Sequence, residues 1–242
     1  MVDIHCHILP RMDDGASSLE EALAMAHMAA MTGVTDIVAT PHFPGHRDSL
    51  RLLPKLAERY KLLSEAIEAE GIPVKLHLGA EILCMPETAD LALQKRLPTI
   101  GKTHYFLTEF FFDEDYEVMD AMLREIAAAG YTPVVAHPER YDAIQRDPLA
   151  LQRWFRRGYV LQLNKGSVLG AFGSRVQDTA QILLDMGLAH LIASDAHSAN
   201  HRTTHMGLLR EWMEEHIHPD YAHILLEENP GRLIRGESMR PV

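Results

Sequence analysis

The sequence predicts an α/β fold built on a parallel sheet, on three observations. Short apolar runs of strand length alternate with longer amphipathic stretches, glycines stand where helices would stop, and the connections between the two are short. The first run covers residues 2–5. The stretch after it begins at Ser18 with Glu21 three residues on, the spacing of a capping box, and stops at Gly33. A second run at 36–39 is followed by a helix that ends before Gly71, and a third lies at 74–79. The fourth, 105–109, leads into a helix stopped by Gly130; runs at 132–136, 160–164 and 190–194 complete seven strands, the last two preceded by Gly158 and Gly187. Residues 203–216 and the starts at His218-Pro219 and Asn229-Pro230 read as terminal helices packed on that body. Seven strand-helix units fit a closed barrel or an open, doubly wound sheet equally well.

Composition bounds the function. A chain of 242 residues with 47% hydrophobic and 24% charged side chains can bury one large core, so residues 1–242 are expected to form a single domain and disorder is disfavoured. Its apolar runs are too short for membrane insertion, and the first residues lack the basic and apolar regions of a secretory signal, which together point to the cytoplasm. Lys and Arg number 23 against 34 Asp and Glu, a formal net charge of -11 that disfavours nucleic acid as a partner. Two cysteines, Cys6 and Cys84, suit a reducing compartment. The 15 histidines direct attention to metals.

A parallel sheet presents its site at the carboxyl ends of its strands. There stand His5, His7 and Asp14 after the first run, His42 after the second, Glu81 after the third, Glu109 at the fourth, His137 after the fifth, and Asp195 and His197 after the seventh. One His or Glu at a strand end is ordinarily a hydrogen-bonded structural residue. The set is different, because His-x-His places both imidazoles on one face and Asp195-x-His197 repeats the geometry. Five imidazoles and four carboxylates exceed the ligands of one catalytic ion, so two or three metals are implied. The four carboxylates are costly in one concavity unless cations neutralise them, and three divalent ions would leave the locality positive and suited to phosphate. Nitrogen and oxygen ligands without thiolates suit Mn, Fe or Zn.

These residues resemble the PHP (polymerase and histidinol phosphatase) superfamily, and within it the bacterial capsule-type metal-dependent protein-tyrosine phosphatases. The likeness runs nearly end to end through Asp3-Ile-His5-Cys-His7, Asp13-Asp14-Gly15, Thr40-Pro-His42, Gly79-Ala-Glu81, Glu109-Phe, His137-Pro-Glu-Arg140-Tyr, Gln162-Leu-Asn164 and Ser194-Asp195-Ala-His197. The resemblance implies a distorted seven-stranded (β/α)7 barrel with three divalent ions, Mn2+ before Fe or Zn. His5, His7, Glu81 and Asp195 would share one ion, Glu81, Glu109 and His137 a second, and Asp14, His42 and His197 the third. It implies a metal-activated hydroxide attacking phosphotyrosine, and as substrate a bacterial tyrosine kinase of capsule or exopolysaccharide synthesis. Arg140 and Arg202, which match arginines in the resembling phosphatases, are the candidates for a bidentate phosphate clamp.

Around this set, Asp3 is expected to support the first strand, residues 43–47 to form a rim loop, and Asn164 and Lys165 to stand near the same opening. His46, Arg47, His201 and His205 carry no assigned role, and Met25, Met28 and Met31 have the spacing of core packing. Histidinol phosphate or another small phosphomonoester is the alternative substrate, and a non-hydrolytic phosphopeptide-binding regulator the alternative of another class. A metal-dependent amidohydrolase also begins with His-x-His, but usually has eight strands and a bridging lysine where this chain has Glu109.

Cys6 tests the cysteine-dependent route to the same chemistry. That route resembles His-Cys-x5-Arg, whereas His5-Cys6 precedes Arg11 with one residue too few, and a residue between two ligand histidines on a strand points away from them. Cys6→Ser is therefore expected to keep most phosphatase activity. Loss of activity with metal still bound, read from phosphate release beside a metal assay, would reinstate the thiol.

Overall fold

The computed structural model describes residues 1–240. All seven expected strands form, and two three-residue strands join them: β1 (Val2–Cys6), β2 (Asp36–Ala39), β3 (His42–Pro44), β4 (Lys75–Leu78), β5 (Glu81–Leu83), β6 (Tyr105–Glu109), β7 (Thr132–Ala136), β8 (Val160–Asn164) and β9 (Leu191–Ala193). The strand pairings are parallel, in a three-stranded sheet β1-β2-β4 and a six-stranded sheet β3-β5-β6-β7-β8-β9.

Two sheets stand where the family resemblance implies one seven-stranded ring, and the reason is local. Pro41, with no N–H to donate, interrupts the ladder between β2 and β3. Residues 79–80 separate β4 from β5, although Gly79 N–H still donates to Ala39 O at 2.9 Å and Glu81 N–H to Pro41 O at 3.0 Å, and a Cβ on Gly79 would stand 3.0 Å from Val38 Cγ1. On the other side the end of β1 is bonded to the segment after β9: Asp195 N–H donates to His5 O at 2.9 Å and His7 N–H to Ala196 O at 2.8 Å.

Helices return the chain between strands. Helix Leu19–Met31 is capped as expected, Ser18 accepting the Glu21 N–H, but the Glu21 carboxylate turns to Ser17, taking its N–H at 2.9 Å and its hydroxyl at 2.6 Å. The five helix-stopping glycines all adopt positive φ. Two expectations are corrected. Met31 is exposed, so of the three spaced methionines Met25 alone lies in the core, because six residues at 3.6 per turn place Met31 about 120° round the helix from Met25. The helix expected from residue 203 begins at Gly207, since Lys165 Nζ ties down the carbonyls of Thr203 and His205.

Two apolar clusters hold the layers together. The larger packs the outer strand faces, through residues such as Ile37, Phe106, Leu161 and Ile192, against Met25, Leu63, Leu123 and Leu183 of the helices. The smaller gathers alternate strand residues, Ile4, Val38, Leu107, Val134, Val160 and Leu191 among them, and is joined by Leu233 of the last helix, Asn229–Ile234. Continuing that alternation along the strands leads from Leu107 to Glu109 and from Leu191 through Ala193 to Asp195, so the period that builds the core also delivers the polar residues beyond it. Among the described residues no helix is long and apolar enough to cross a membrane.

His190, seven residues from His197, plays no part in that polar group. Its Nδ1 accepts the Leu161 N–H at 3.1 Å, its ring stacks on Phe155, and burial depresses its pKa from 6.5 to about 4. A base with a depressed folded-state pKa stabilises the fold above its unfolded pKa, and that contribution is lost as pH falls from about 6.5 towards 4. His190→Asn, which keeps an acceptor for Leu161, is expected to remove on the order of 3 kcal/mol of this acid sensitivity. Parallel urea titrations at pH 7 and pH 4.5 check it; an unchanged difference between the two pH values refutes it.

Candidate metal centre

The local chain conformation explains how these side chains meet. Between Asp3 and Cys6 the pairing of β1 with β2 slips by one residue, a β-bulge. With the extra residue, Ile4 enters the small apolar cluster while His5 still turns to the same side as His7. His137 and Asp195 stand just past β7 and β9 with φ of 35° and 47°, and Arg202 has φ of 50°. Of five non-glycine residues in this strained region among those described, three belong to the expected site. Gly15 is obligatory: a Cβ there would stand 2.0 Å from His7 O.

Glu81 is the centre. Fully buried, it places Oε1 2.8 Å from His137 Nε2 and 3.2 Å from His5 Nε2, and Oε2 3.0 Å from His42 Nδ1 and 3.3 Å from His7 Nε2. Asp195 Oδ1 lies 3.5 Å from His5 Nε2 and 3.4 Å from His7 Nε2. Glu109 Oε1 is 2.7 Å from His42 Nδ1. Asp14, the most exposed member, stands 3.6 Å from both His42 Nε2 and His197 Nε2. All nine expected ligands thus fall into four groups whose donor atoms lie within 4.8 Å of one another: His7-Asp14-His42-His197, His5-His7-Glu81, His5-His137-Asp195 and His42-Glu81-Glu109. Asp14, His42 and His197 stay together as the resemblance implies. Glu109 pairs with His42 and Glu81 instead of His137, and Asp195 groups with His5 and His137.

Burial and mutual charge set the ionisation. Burial works against a charge on His5 and His7, yet Glu81 and Asp195 outweigh it at His5, and Asp13 with Asp195 and Glu81 outweighs it at His7, so both are raised. His42, likewise opposed by burial, is lifted to about 10 by Glu109 and Glu81. Conversely, Glu81 and Asp195 are held well below the carboxylate range by the imidazoles despite their own burial. His197 goes the other way: burial and the stacked His7 ring, 3.9 Å away, depress it to about 4.

The donor set fits divalent cations. His5 Nδ1 is committed to Gln162 Oε1 at 2.8 Å, whose amide nitrogen donates to Leu163 O, and His7 Nδ1 is committed to Asp13 Oδ2 at 2.7 Å. With both Nδ1 atoms committed, the two Nε2 atoms stand 3.2 Å apart and cannot both present bare lone pairs, so a proton or a metal cation must lie between or beside them. Two buried atoms of the cluster, Glu81 Oε2 and His137 Nδ1, have no hydrogen-bond partner. Anchored imidazoles around shared carboxylates are the pattern of metal ligands, and the protons that hold the cluster together are the ones a cation would displace.

The surrounding residues refine the sequence reading. Arg202 Nη2 pairs with Asp195 Oδ2 and Arg140 Nη1 stands 3.5 Å from the same oxygen, so both arginines face the cluster. Asn164 Nδ2 donates to Asp195 Oδ2 at 2.5 Å. Lys165 instead holds the loop that carries Arg202. Asp3 supports its strand, accepting the Ser194 N–H at 2.9 Å. The rim loop is corrected: His42–Pro44 is strand β3 with Phe43 fully buried, because Phe43 continues the outer core face, and Arg47 N–H is bonded to Glu87 at 2.8 Å. His201 and His205 belong to none of these four groups.

Three residues escape the sequence reading. Asp13 fixes His7 and also accepts the His42 N–H at 2.8 Å and the Gly15 N–H at 3.0 Å. Glu139 accepts the Asn164 N–H at 2.9 Å. Tyr141 accepts the Phe110 N–H and donates to Ala136 O, tying β6 to β7. Their signal was position alone, each being one or two residues from a candidate.

The chain matches the family described as "Capsular polysaccharide synthesis, CpsB/CapC" over residues 1–235. It is 31% identical over 241 residues to tyrosine-protein phosphatase YwqE of Bacillus subtilis, covering 99% of this chain and 93% of the relative. It is 30% identical over 241 residues to tyrosine-protein phosphatase CpsB of Streptococcus pneumoniae, covering 97% and 98%. A solved structure from work on these two proteins, described as metal-dependent tyrosine phosphatases, superposes with a TM-score of 0.89 at 31% identity, covering 100% of this chain and 99% of that one.

Asp13 holds the Nδ1 of His7 while the other carboxylates face its Nε2, so it separates orientation from ligation. Asp13→Asn, which weakens the anchor of His7 without removing a ligand, is expected to lower Mn2+ affinity about 10- to 100-fold. Calorimetric titration of the chelator-treated protein measures this; an unchanged affinity would show that Asp13 serves the loop alone.

Proposed function

The chain belongs to the capsular polysaccharide synthesis CpsB/CapC family, and from that membership together with the site we propose that it removes phosphate from protein phosphotyrosine using bound divalent metal ions. The observation that carries the reading is the division of labour at Asp195, whose Oδ1 faces the imidazoles while Oδ2 faces Arg202 and Arg140. A cation site and a phosphate site thereby share one carboxylate.

In this reading His5, His7, Asp14, His42, Glu81, Glu109, His137, Asp195 and His197 hold three ions, Mn2+ in preference to Fe or Zn. Such ions supply a water nucleophile active near neutral pH and shield the phosphoryl charge. Arg140 and Arg202 grip the phosphoryl oxygens through their paired N–H groups, and Asn164 keeps Asp195 turned between the two sides. The departing phenolate, with a reference pKa near 10, needs less proton assistance than an alkoxide.

Residues 1–242 act as one domain, a reading supported by the family match over nearly the whole chain. We read the two sheets as one distorted seven-stranded barrel; the backbone bonds from Asp195 to His5 and from His7 to Ala196 support it. The protein substrate is a tyrosine kinase of capsule or exopolysaccharide synthesis in the cytoplasm, supported by the family's description and by two buried free thiols suited to a reducing compartment.

Phosphate release from a phosphotyrosyl peptide, by protein stripped with chelator and reconstituted with Mn2+, tests the reading beside histidinol phosphate as control. Chelator-sensitive release, restored by Mn2+ and favouring the peptide, is expected. Preference for histidinol phosphate, or tight peptide binding without release, would overturn it. Arg140→Ala is expected to lower kcat/KM roughly 10- to 100-fold, the worth of a charged hydrogen bond, with metal content unchanged. Unaltered kinetics would remove Arg140 from the site.

A further inference from the structure

The residues described so far account for the phosphate but not for the ring that carries it. After Glu109 the chain runs Phe110-Phe111-Phe112, of which Phe110 is buried while Phe111 and Phe112 are 54% and 46% exposed. Phe112 is not loose: its carbonyl accepts the Asp142 N–H at 2.8 Å, and its ring centroid lies 6.1 Å from that of His137. The Arg140 guanidinium sits 4.5 Å from the Phe112 centroid and 4.6 Å from that of Phe172, held between two aromatic rings.

Phe172 is built into place as firmly. It lies in the turn between Gly170 and Gly173, both at positive φ, and its ring packs so closely on Gly166 that a Cβ there would stand 2.6 Å from it. Arg202 also lies over this ring, at 5.7 Å. Both candidate phosphate-gripping arginines therefore rest on aromatic faces, with their N–H edges turned to Asp195. The outward carbon of Phe112 is left bare beside the cluster, apolar surface that gains from being covered by a flat apolar partner.

We infer that Phe112 and Phe172 form an aromatic collar that receives the phenyl ring of phosphotyrosine and selects aryl over alkyl phosphates. The inference rests on the phosphatase reading for the identity of the substrate. Phosphate held by Arg140 places its ester substituent beside the collar, where a phenyl ring meets the aromatic edges and a short alkyl chain meets little. The two rings also act as positioning residues for Arg140, an effect that applies to every phosphate equally.

Non-hydrolysable ligands separate these effects. By calorimetry on the Mn2+-reconstituted protein, phenylphosphonate is expected to bind about tenfold more tightly than methylphosphonate, the worth of one or two aromatic contacts. Phe112→Leu, which keeps apolar packing beneath Arg140, and Phe172→Ala are each expected to shrink that ratio about threefold, and the double variant to bring it within twofold of one. A ratio near one in the unaltered protein, or variants that weaken both ligands in equal proportion, would overturn the collar. Failure to bind either phosphonate would overturn it along with the phosphate site. Preferential binding of phenylphosphonate by a protein that releases no phosphate from a phosphotyrosyl peptide would leave the collar standing and overturn the phosphatase reading.

Discussion

Everything at the top of this fold is organised around one buried carboxylate. Glu81 has no exposed surface, and a lone charge so placed would cost several kcal/mol. Its compensation comes from four imidazoles on three separate segments: His5 and His7 at β1, His42 at β3, and His137 after β7. The requirement is mutual, since the same carboxylate works to raise the pKa of His5, His7 and His42 against their burial. A group this interdependent tolerates little displacement, which accounts for the backbone irregularities close to it. The β1 bulge, the breaks at Pro41 and Gly79, and the positive φ of His137 and Asp195 each move a side chain where regular strand geometry would not take it.

The run from His137 to Tyr141 is the most compact example. His137 enters the cluster; Glu139 reaches to the end of β8 through the Asn164 N–H; Arg140 faces Asp195; and Tyr141 links the end of β6 to that of β7. Asn164, held by Glu139, in turn orients Asp195. Five consecutive residues therefore set the relative positions of β6, β7 and β8 and of two elements of the site. Pro138 begins the short turn that makes this possible, because it follows a residue in the left-handed conformation and needs no donor.

Much of this was legible in the sequence, and the limits have physical causes. Seven strands were readable because each is a short run of strand length rich in apolar residues, and the nine candidate ligands because His, Asp and Glu at strand ends are chemically conspicuous. Strands β3 and β5 were not, since three residues following a proline or glycine carry no periodicity of their own. The division into two sheets followed from those same breaks. Asp13 was hidden by its neighbour: in Asp13-Asp14 one carboxylate joins the cluster and the other orients it, and only geometry tells which. Phe112 and Phe172 were hidden for the opposite reason, as aromatic residues are read as core until their exposure and their arginine are seen.

An acidic chain that binds an anion poses an electrostatic problem, and Asp195 resolves it. The net charge of -11 repels phosphate at a distance, but that repulsion is screened beyond roughly 10 Å in ordinary salt. Close in, order matters more than sum. Cations among the imidazoles on the Oδ1 side and guanidinium groups on the Oδ2 side would repel one another if they met directly; with a carboxylate between them, each has an opposite charge as its nearest neighbour. The arginines stay beside the candidate metal ligands without competing for their place, where the proposed reading brings a phosphoryl group to them. Holding them there by aromatic faces instead of further carboxylates preserves their charge for that group, since a ring attracts a guanidinium without neutralising it.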